Sequence, residues 1–527
     1  MGHGGRGVLG RSAGGRGRVI PCRGLIRHVK ATVTYAPGEL ERRGVRGALW
    51  QGLAFASGRI IVLVTTVVLA RLLSPEEYGL VALALVLMAY AETIADAGVG
   101  QALVYLPKTK VIARSALLLS VALGTVLALA AVLAADAVED LIGLDGVAPL
   151  VQVLGVSVLA TACGAVPEAI MRRDLKFRQL TAAPVLRAAT MGTVTLYLAF
   201  TGHGAWSLAV GTAAGSVAYA ATCWFLVRHE APWQLWRVSR SALGENIRFG
   251  APVAGSTMLA RAIFDVDYLV IGIVLGAHAL GLYTLAFRLP EALILNVFFV
   301  LSTVLFPLYT QVGGDRQRLR DGYLKSVTVQ ALYGITAGVG LAVVAPVLVP
   351  VLFGQQWEES VTPLVFLALY AAARSLGAGA NDVYKALGRP GLSIWISVVR
   401  LVVLLPALVF ATRWGIVGVA CAQMVVAVVF AFGMQAVAAR VMGTRMRRML
   451  RAAAPGLACG AAVALVGLFN LSRHALGPVL TLAVMVVAGV GLVYAVLRFG
   501  YRDLHDEILG LFKRRHEPSG PARDHAS

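Results

Sequence analysis

Long apolar runs separated by short polar turns recur from residue 48 to residue 497. Runs of eighteen or more residues match the hydrocarbon thickness of a bilayer and read as membrane helices; about fourteen are present. They lie near 48–70, 79–104, 114–135, 147–170, 182–201, 203–227, 247–276 and 279–311, then 327–352, 360–386, 391–412, 415–440, 452–470 and 475–497. Little more than Gly202 and Gly204 separates 182–201 from 203–227, so these neighbours must form an antiparallel hairpin. The pattern predicts an all-α polytopic membrane protein.

The same pattern repeats at a fixed offset. Moving residues 52–86 along by 202 positions superposes Ile61 on Ile263, Val64 on Val266, Val68 on Val270 and Leu73 on Leu275. Gly79-Leu80 falls on Gly281-Leu282, and Leu83-Ala84 on Leu285-Ala286. Six spans per repeat give both copies one orientation, which predicts two parallel six-helix lobes with a site at their interface. The expected organisation is an N-lobe at 45–230, a C-lobe at 245–440 and a further helix pair at 450–498. Residues 1–44, rich in Gly and Arg, are expected to be a disordered basic cytoplasmic leader, and 499–527 a short cytoplasmic tail.

Charge adds orientation. The 527 residues carry a net charge of +20 although only 14% are charged and 58% are hydrophobic. Such an excess could suit nucleic acid, but its placement excludes that partner. Basic residues gather in alternate loops, around Arg172, Arg240, Arg316 and Arg447, while the intervening loops hold Glu76 and Glu77, Asp136 to Asp145, or Glu358 and Glu359. That alternation is the positive-inside rule, so the basic loops and both termini are expected in the cytoplasm, with an even span count. The basic face also suits anionic membrane lipids. The five cysteines form no CxxC pair, and no nucleotide-binding loop, zincin motif or nucleophile elbow occurs. Neither an enzyme, a metal site nor a cofactor is expected.

The candidate chemistry lies in charges inside the apolar runs. Arg59 and Arg261 occupy matching positions of the two repeats, and their separation is again 202. Charge at mid-bilayer is costly and usually faces a protein interior or a watery cavity, so twin cations suggest a central cavity for an anion. The bland alternative is a pair of arginines neutralised by neighbouring acids. Asp265 stands four residues after Arg261, where the two can meet on one helix face, whereas Asp267 points elsewhere and needs another partner. Glu92 and Asp96 are like charges four apart in one span, an arrangement that favours protonating one of them and makes both candidate coupling acids. Asp382, beside Asn381, is a further candidate.

Several of these stretches resemble a known family. LARLLSPEEYGLVALA after the first span, ETIADAGVGQALV, IGIVLGAHALGLYTLAFRL and the KALGRP turn look like the Wzx-like oligosaccharide flippases. These polysaccharide biosynthesis proteins belong to the multidrug/oligosaccharidyl-lipid/polysaccharide exporter superfamily. The resemblance covers most of residues 45–440. It implies a multi-pass protein of the cytoplasmic membrane that turns an undecaprenyl-pyrophosphate-linked oligosaccharide to the outer leaflet, alongside a polysaccharide polymerase and glycosyltransferases. Arginine suits a pyrophosphate because its planar fork grips phosphate oxygens bidentately. Arg59 and Arg261 are the first candidates, with Arg288, Arg374 and Arg400 in reserve; Arg288 can pair locally with Glu291. Two other classes stay open: an ion-coupled drug or metabolite exporter of the same superfamily, and a non-transporting membrane subunit of a polysaccharide assembly complex.

Overall fold

The computed structural model describes residues 58, 61–106, 109–229, 239–312, 315–470, 477–502, 504 and 506. Arg59, the leader at 1–44 and most of the tail at 499–527 lie outside them. Among the described residues every regular element is a helix. The chain runs through α1 (Ile61–Leu72), α2 (Pro75–Asp96), α3 (Val99–Tyr105), α4 (Lys110–Leu133), α5 (Ala135–Ile142) and α6 (Val147–Arg173). It continues with α7 (Phe177–Phe200), α8 (Ala205–Val227), α9 (Arg240–Pro290), α10 (Asn296–Val312) and α11 (Arg316–Leu352). The last elements are α12 (Val361–Ala386), α13 (Pro390–Ala411), α14 (Gly415–Met442), α15 (Met446–Asn470) and α16 (Pro478–Gly500).

Eleven described stretches are long and apolar enough to cross a membrane. The sequence suggests about fourteen, and the difference has a local cause. Arg240–Val312 and Gly391–Met442 each count as one stretch, yet each contains a break. Gly276 leaves helical geometry inside α9 (φ 87°, ψ 178°), a conformation that glycine adopts without the Cβ penalty, and a 3₁₀ turn at Thr412–Trp414 divides α13 from α14. The described part of the first run, Ile61–Leu72, is too short to count.

Local chemistry sets the boundaries of α2. Ser74 and Glu77 form a reciprocal capping box, with the Glu77 amide donating to Ser74 Oγ at 3.3 Å and the Ser74 amide to Glu77 Oε2 at 2.9 Å. Pro75 supplies a preset first turn, so three side chains within four residues specify the start. The helix stops at Ala97 and Gly98, both in the left-handed region at φ 47° and 67°.

The duplication in the sequence is visible in the packing. α2 crosses the part of α9 beyond Gly276 at Gly79 and Gly281, a repeat-related pair. A Cβ on Gly79 would stand 1.8 Å from the Ala277 carbonyl oxygen, and one on Gly281 1.8 Å from that of Pro75. Ala277 and Pro75 are themselves 202 residues apart. The crossing is therefore reciprocal, as a two-fold relation between equivalent helices requires. Only glycine permits backbones this close.

Around that crossing, α2 also packs on α6 and α4, and α7 lies against α8, which packs on α6. On the other side α12 packs on α11, α14 and α10, while α13 joins α14 and α9. α15 and α16 lean on one another and on α11. At the end bearing the acidic loops, five hydrogen bonds join residues 70–73 to residues 351–357. Arg71 donates to the carbonyls of Leu352 (3.0 Å) and Val351 (2.5 Å). Gln356 donates to Ala70 (2.7 Å) and Leu73 (3.2 Å), and the Trp357 indole to Ala70 (2.6 Å).

Candidate functional site

A cavity of about 970 Å³ lies among α9, α10, α12, α13 and α14, with one wall from α2. Its lining holds five cations, Arg261, Arg288, Arg374, Lys385 and Arg400, against three carboxylates, Asp265, Glu291 and Asp382. Positive charge is in excess. All four arginines stand at one height. Counted along their helices at about 1.5 Å per residue, Arg261 and Arg288 lie roughly 22 and 18 Å from Gly276, Arg374 roughly 20 Å from Val361, and Arg400 roughly 17 Å from Ala411. Those three reference points share the acidic-loop end. Asp382 and Lys385 stand two to three turns further along α12, so the cavity extends from mid-height towards the basic-loop end.

The arginines differ in their partners. Arg261 contacts Asp265 at 2.9 Å, and Arg288 contacts Glu291 at 3.5 Å, as their helical spacings of four and three suggest. Arg374 and Arg400 make no ion pair among the described residues. The Arg374 guanidinium lies over the Phe264 ring, 4.5 Å from its centroid, and 5.9 Å from that of Tyr370. Arg400 faces Tyr370 and is close enough to Arg374 to feel its charge. Its Nε and Nη2 are buried without a hydrogen-bond partner.

The remaining candidates divide by position. Asp382 lines the cavity and accepts a hydrogen bond from Ser302 at 2.6 Å. Asp267 is buried behind it, accepting from Tyr283 Oη (2.7 Å), Gln423 Nε2 (3.0 Å) and the Tyr268 amide (3.0 Å). Glu92 sits apart, on α2, and accepts from Ser157 at 3.1 Å and Thr161 at 3.4 Å, both on α6. Asp96 ends α2 with its carboxylate turned to the amides of Gly98 and Gly100. Neither Glu92 nor Asp96 lines the cavity. Arg59, the proposed twin of Arg261, lies outside the described residues. The described wall from the first repeat is apolar, contributing Ala82, Leu85 and Val86. The two-sided cationic arrangement expected from sequence is thus described on one side only.

Sequence reasoning passed over several residues that the fold gathers here. Lys385 reads as part of a basic loop, yet it lines the cavity one turn beyond Asn381 and Asp382. Phe264, Phe298, Phe299 and Phe430 add aromatic faces, and Asn296, Ser302 and Ser397 add neutral hydrogen-bonding groups. A turn of π-helix at Glu291–Leu295 follows Pro290 and carries the partner of Arg288. Pro290 is the legible signal for that irregularity, since proline removes a backbone donor. Among the described residues no group of His, Cys, Asp or Glu could hold a metal ion.

Comparison with known proteins agrees with this architecture. The chain is 25% identical to the lipopolysaccharide biosynthesis protein WzxC of Escherichia coli (strain K12) over 74% of its length and 80% of that protein. It is 26% identical to the succinoglycan biosynthesis transport protein ExoT of Rhizobium meliloti (strain 1021), over 68% of this chain and 72% of ExoT. In fold it is similar to the lipid II flippase MurJ in an inward closed conformation, with a TM-score of 0.72, 13% identity and coverage of 86% and 99% of the two chains. A multidrug resistance MATE transporter in its inward-facing conformation gives a TM-score of 0.60 at 17% identity, covering 73% and 96%. The family described as polysaccharide biosynthesis protein matches residues 68–362. The chain belongs to that family of polysaccharide biosynthesis proteins.

Proposed function

We propose that this protein turns an undecaprenyl-pyrophosphate-linked oligosaccharide from the cytoplasmic to the outer leaflet of the cytoplasmic membrane, by alternating access around the cationic cavity. The observation that carries this reading is that cavity, at mid-membrane height, with five cations against three carboxylates. A pyrophosphate and its sugars cannot cross hydrocarbon unaided. Arginines at that depth offer the pyrophosphate bidentate donors, and the Phe, Asn and Ser side chains around them offer sugars stacking faces and hydrogen bonds. About 970 Å³ is at the upper end of the range for small-molecule pockets, about 300–1,000 Å³, which suits a glycan headgroup whose prenyl tail stays in lipid. WzxC and ExoT, by their names, serve lipopolysaccharide and succinoglycan biosynthesis.

The excess of cations favours this substrate over the cationic compounds a drug exporter would carry. A charged cavity of this size also has no use in a non-transporting subunit. The two lobes at 45–230 and 245–440 would rock about the Gly79–Gly281 crossing. The basic loops and both termini would face the cytoplasm, where glycosyltransferases make the substrate, and a polymerase would take it up on the far side. Asp265 and Asp382 line the cavity, which supports them as the coupling acids ahead of Glu92 and Asp96, which lie outside it.

The test is complementation. In cells lacking their own flippase, expression of this protein should clear the lipid-linked oligosaccharide that accumulates on the cytoplasmic leaflet and restore surface polysaccharide. The Arg374→Gln, Arg400→Gln variant should do neither. Continued accumulation despite good expression of the wild-type chain, together with new resistance to cationic drugs, would move the exporter reading ahead.

A further inference from the structure

Four arginines share one height in the cavity, and among the described residues only two of them lack an acid. Arg261 and Arg288 are held by Asp265 and Glu291 on their own chain segment, so each presents little net charge to a ligand. Arg374 and Arg400 have no ion-pair partner among the described residues. Asp267, whose charge reaches Arg400, is already engaged by Tyr283, Gln423 and the Tyr268 amide. We infer that the Arg374–Arg400 pair is the seat of the substrate's anionic group, a prenyl-linked pyrophosphate. The inference deepens the flippase reading and rests on it.

Three observations carry it beyond proximity. First, Arg400 Nε and Nη2 are buried with no acceptor. Buried charged donors left unmade are costly; Arg261 and Arg288 leave only Nε so, whereas Arg400 leaves two nitrogens. Second, both arginines are preset. α12 and α13 are antiparallel neighbours joined only by residues 387–389, and counting from that turn places Arg374 and Arg400 roughly 18 and 15 Å up their helices. Third, the Arg374 guanidinium lies over the Phe264 ring, 4.5 Å from its centroid, which holds it against an aromatic face without neutralising its charge. Two like charges this close repel each other, and a bridging dianion turns that repulsion into attraction. Arg261 and Arg288 then line the approach, where substrate phosphate competes with their own carboxylates.

Binding to the purified full-length protein in nanodiscs tests the pair, with farnesyl pyrophosphate as probe and inorganic pyrophosphate and phosphatidylglycerol as competitors. Farnesyl pyrophosphate should bind the wild type, and the Arg374→Gln, Arg400→Gln variant should weaken it by about tenfold or more, since two charge-assisted contacts are lost. The Arg374→Lys, Arg400→Lys variant keeps the charge without the forks and should fall between, which also guards against a variant that fails to fold. Inorganic pyrophosphate should compete. The inference is overturned if the Gln variant binds as the wild type does, if Arg261→Gln loses as much as the double change, or if phosphatidylglycerol competes as well as inorganic pyrophosphate, which would mark an ordinary lipid headgroup site. Failure of the wild type itself to bind the probe would overturn the flippase reading along with it.

Discussion

At the scale of single residues, what separates the charged side chains is where their partners come from. Arg261–Asp265 and Arg288–Glu291 are local pairs, and both are legible from spacing alone. Asp267 is different: besides the Tyr268 amide and Tyr283 Oη of its own helix, it accepts from Gln423, 156 residues away. No periodicity in the sequence points to that contact. The same limit applies to Arg374 and Arg400, which look like reserves in the sequence because the absence of an acid across helices cannot be read from one helix. Glu92 and Asp96 show the converse. Their spacing suggests mutual repulsion, yet α6 gives Glu92 two hydroxyl donors and the α2–α3 turn gives Asp96 its amides. We therefore expect Glu92→Gln and Asp96→Asn to leave the pH dependence of transport as it is, whereas Asp265→Asn or Asp382→Asn should flatten it. Vesicle transport measured across a pH series checks this, and a flattened profile in Glu92→Gln alone would return coupling to α2.

At the scale of elements, the crossing of α2 with α9 sets the strictest condition in the fold. A methyl group at Gly79 or Gly281 meets backbone, which cannot rotate away as a side chain can. Overpacking of this kind typically costs about 1–3 kcal/mol and more where backbone must move. We expect Gly79→Ala and Gly281→Ala each to lower thermal stability sharply and to a similar extent, because the contact is reciprocal. Gly433→Ala, on α14 with open space around it, should be neutral or slightly stabilising. A thermal aggregation assay in detergent decides, and a tolerated Gly79→Ala would mean that the two helices do not meet this closely. Helix bounds were largely legible: the runs at 147–170, 360–386, 391–412 and 415–440 fall within a few residues of α6, α12, α13 and α14. The stop at Ala97–Gly98 is marked in the sequence by Gly98, the residue type that most readily takes a positive φ. The π-helical turn after Pro290 was not legible, because sequence shows the missing donor but not which way the helix relaxes.

At the scale of the whole molecule, the two ends are held by different physics. At the basic-loop end the first repeat meets α9 through a backbone contact between Gly98 and Gly250, a tilted Tyr105–Phe249 ring pair and an Asn246 bond to the Ile112 carbonyl at 3.3 Å. The acidic-loop end is clasped by Arg71, Gln356 and Trp357, each donating to carbonyls of the opposite repeat. Alternating access along the cavity axis requires that clasp to open once per cycle, because residues 70–73 and 351–357 bridge the two repeats at that end. A short thiol-specific cross-linker between cysteines placed at Leu73 and Gln356, in a background without the native cysteines, should stop transport, and cleavage of the linker should restore it. The same pair left uncross-linked should transport near the normal rate, since only part of the clasp is lost. If the cross-linked protein continues to transport at that rate, the two repeats do not separate at this end, and the substrate must leave the cavity sideways between helices.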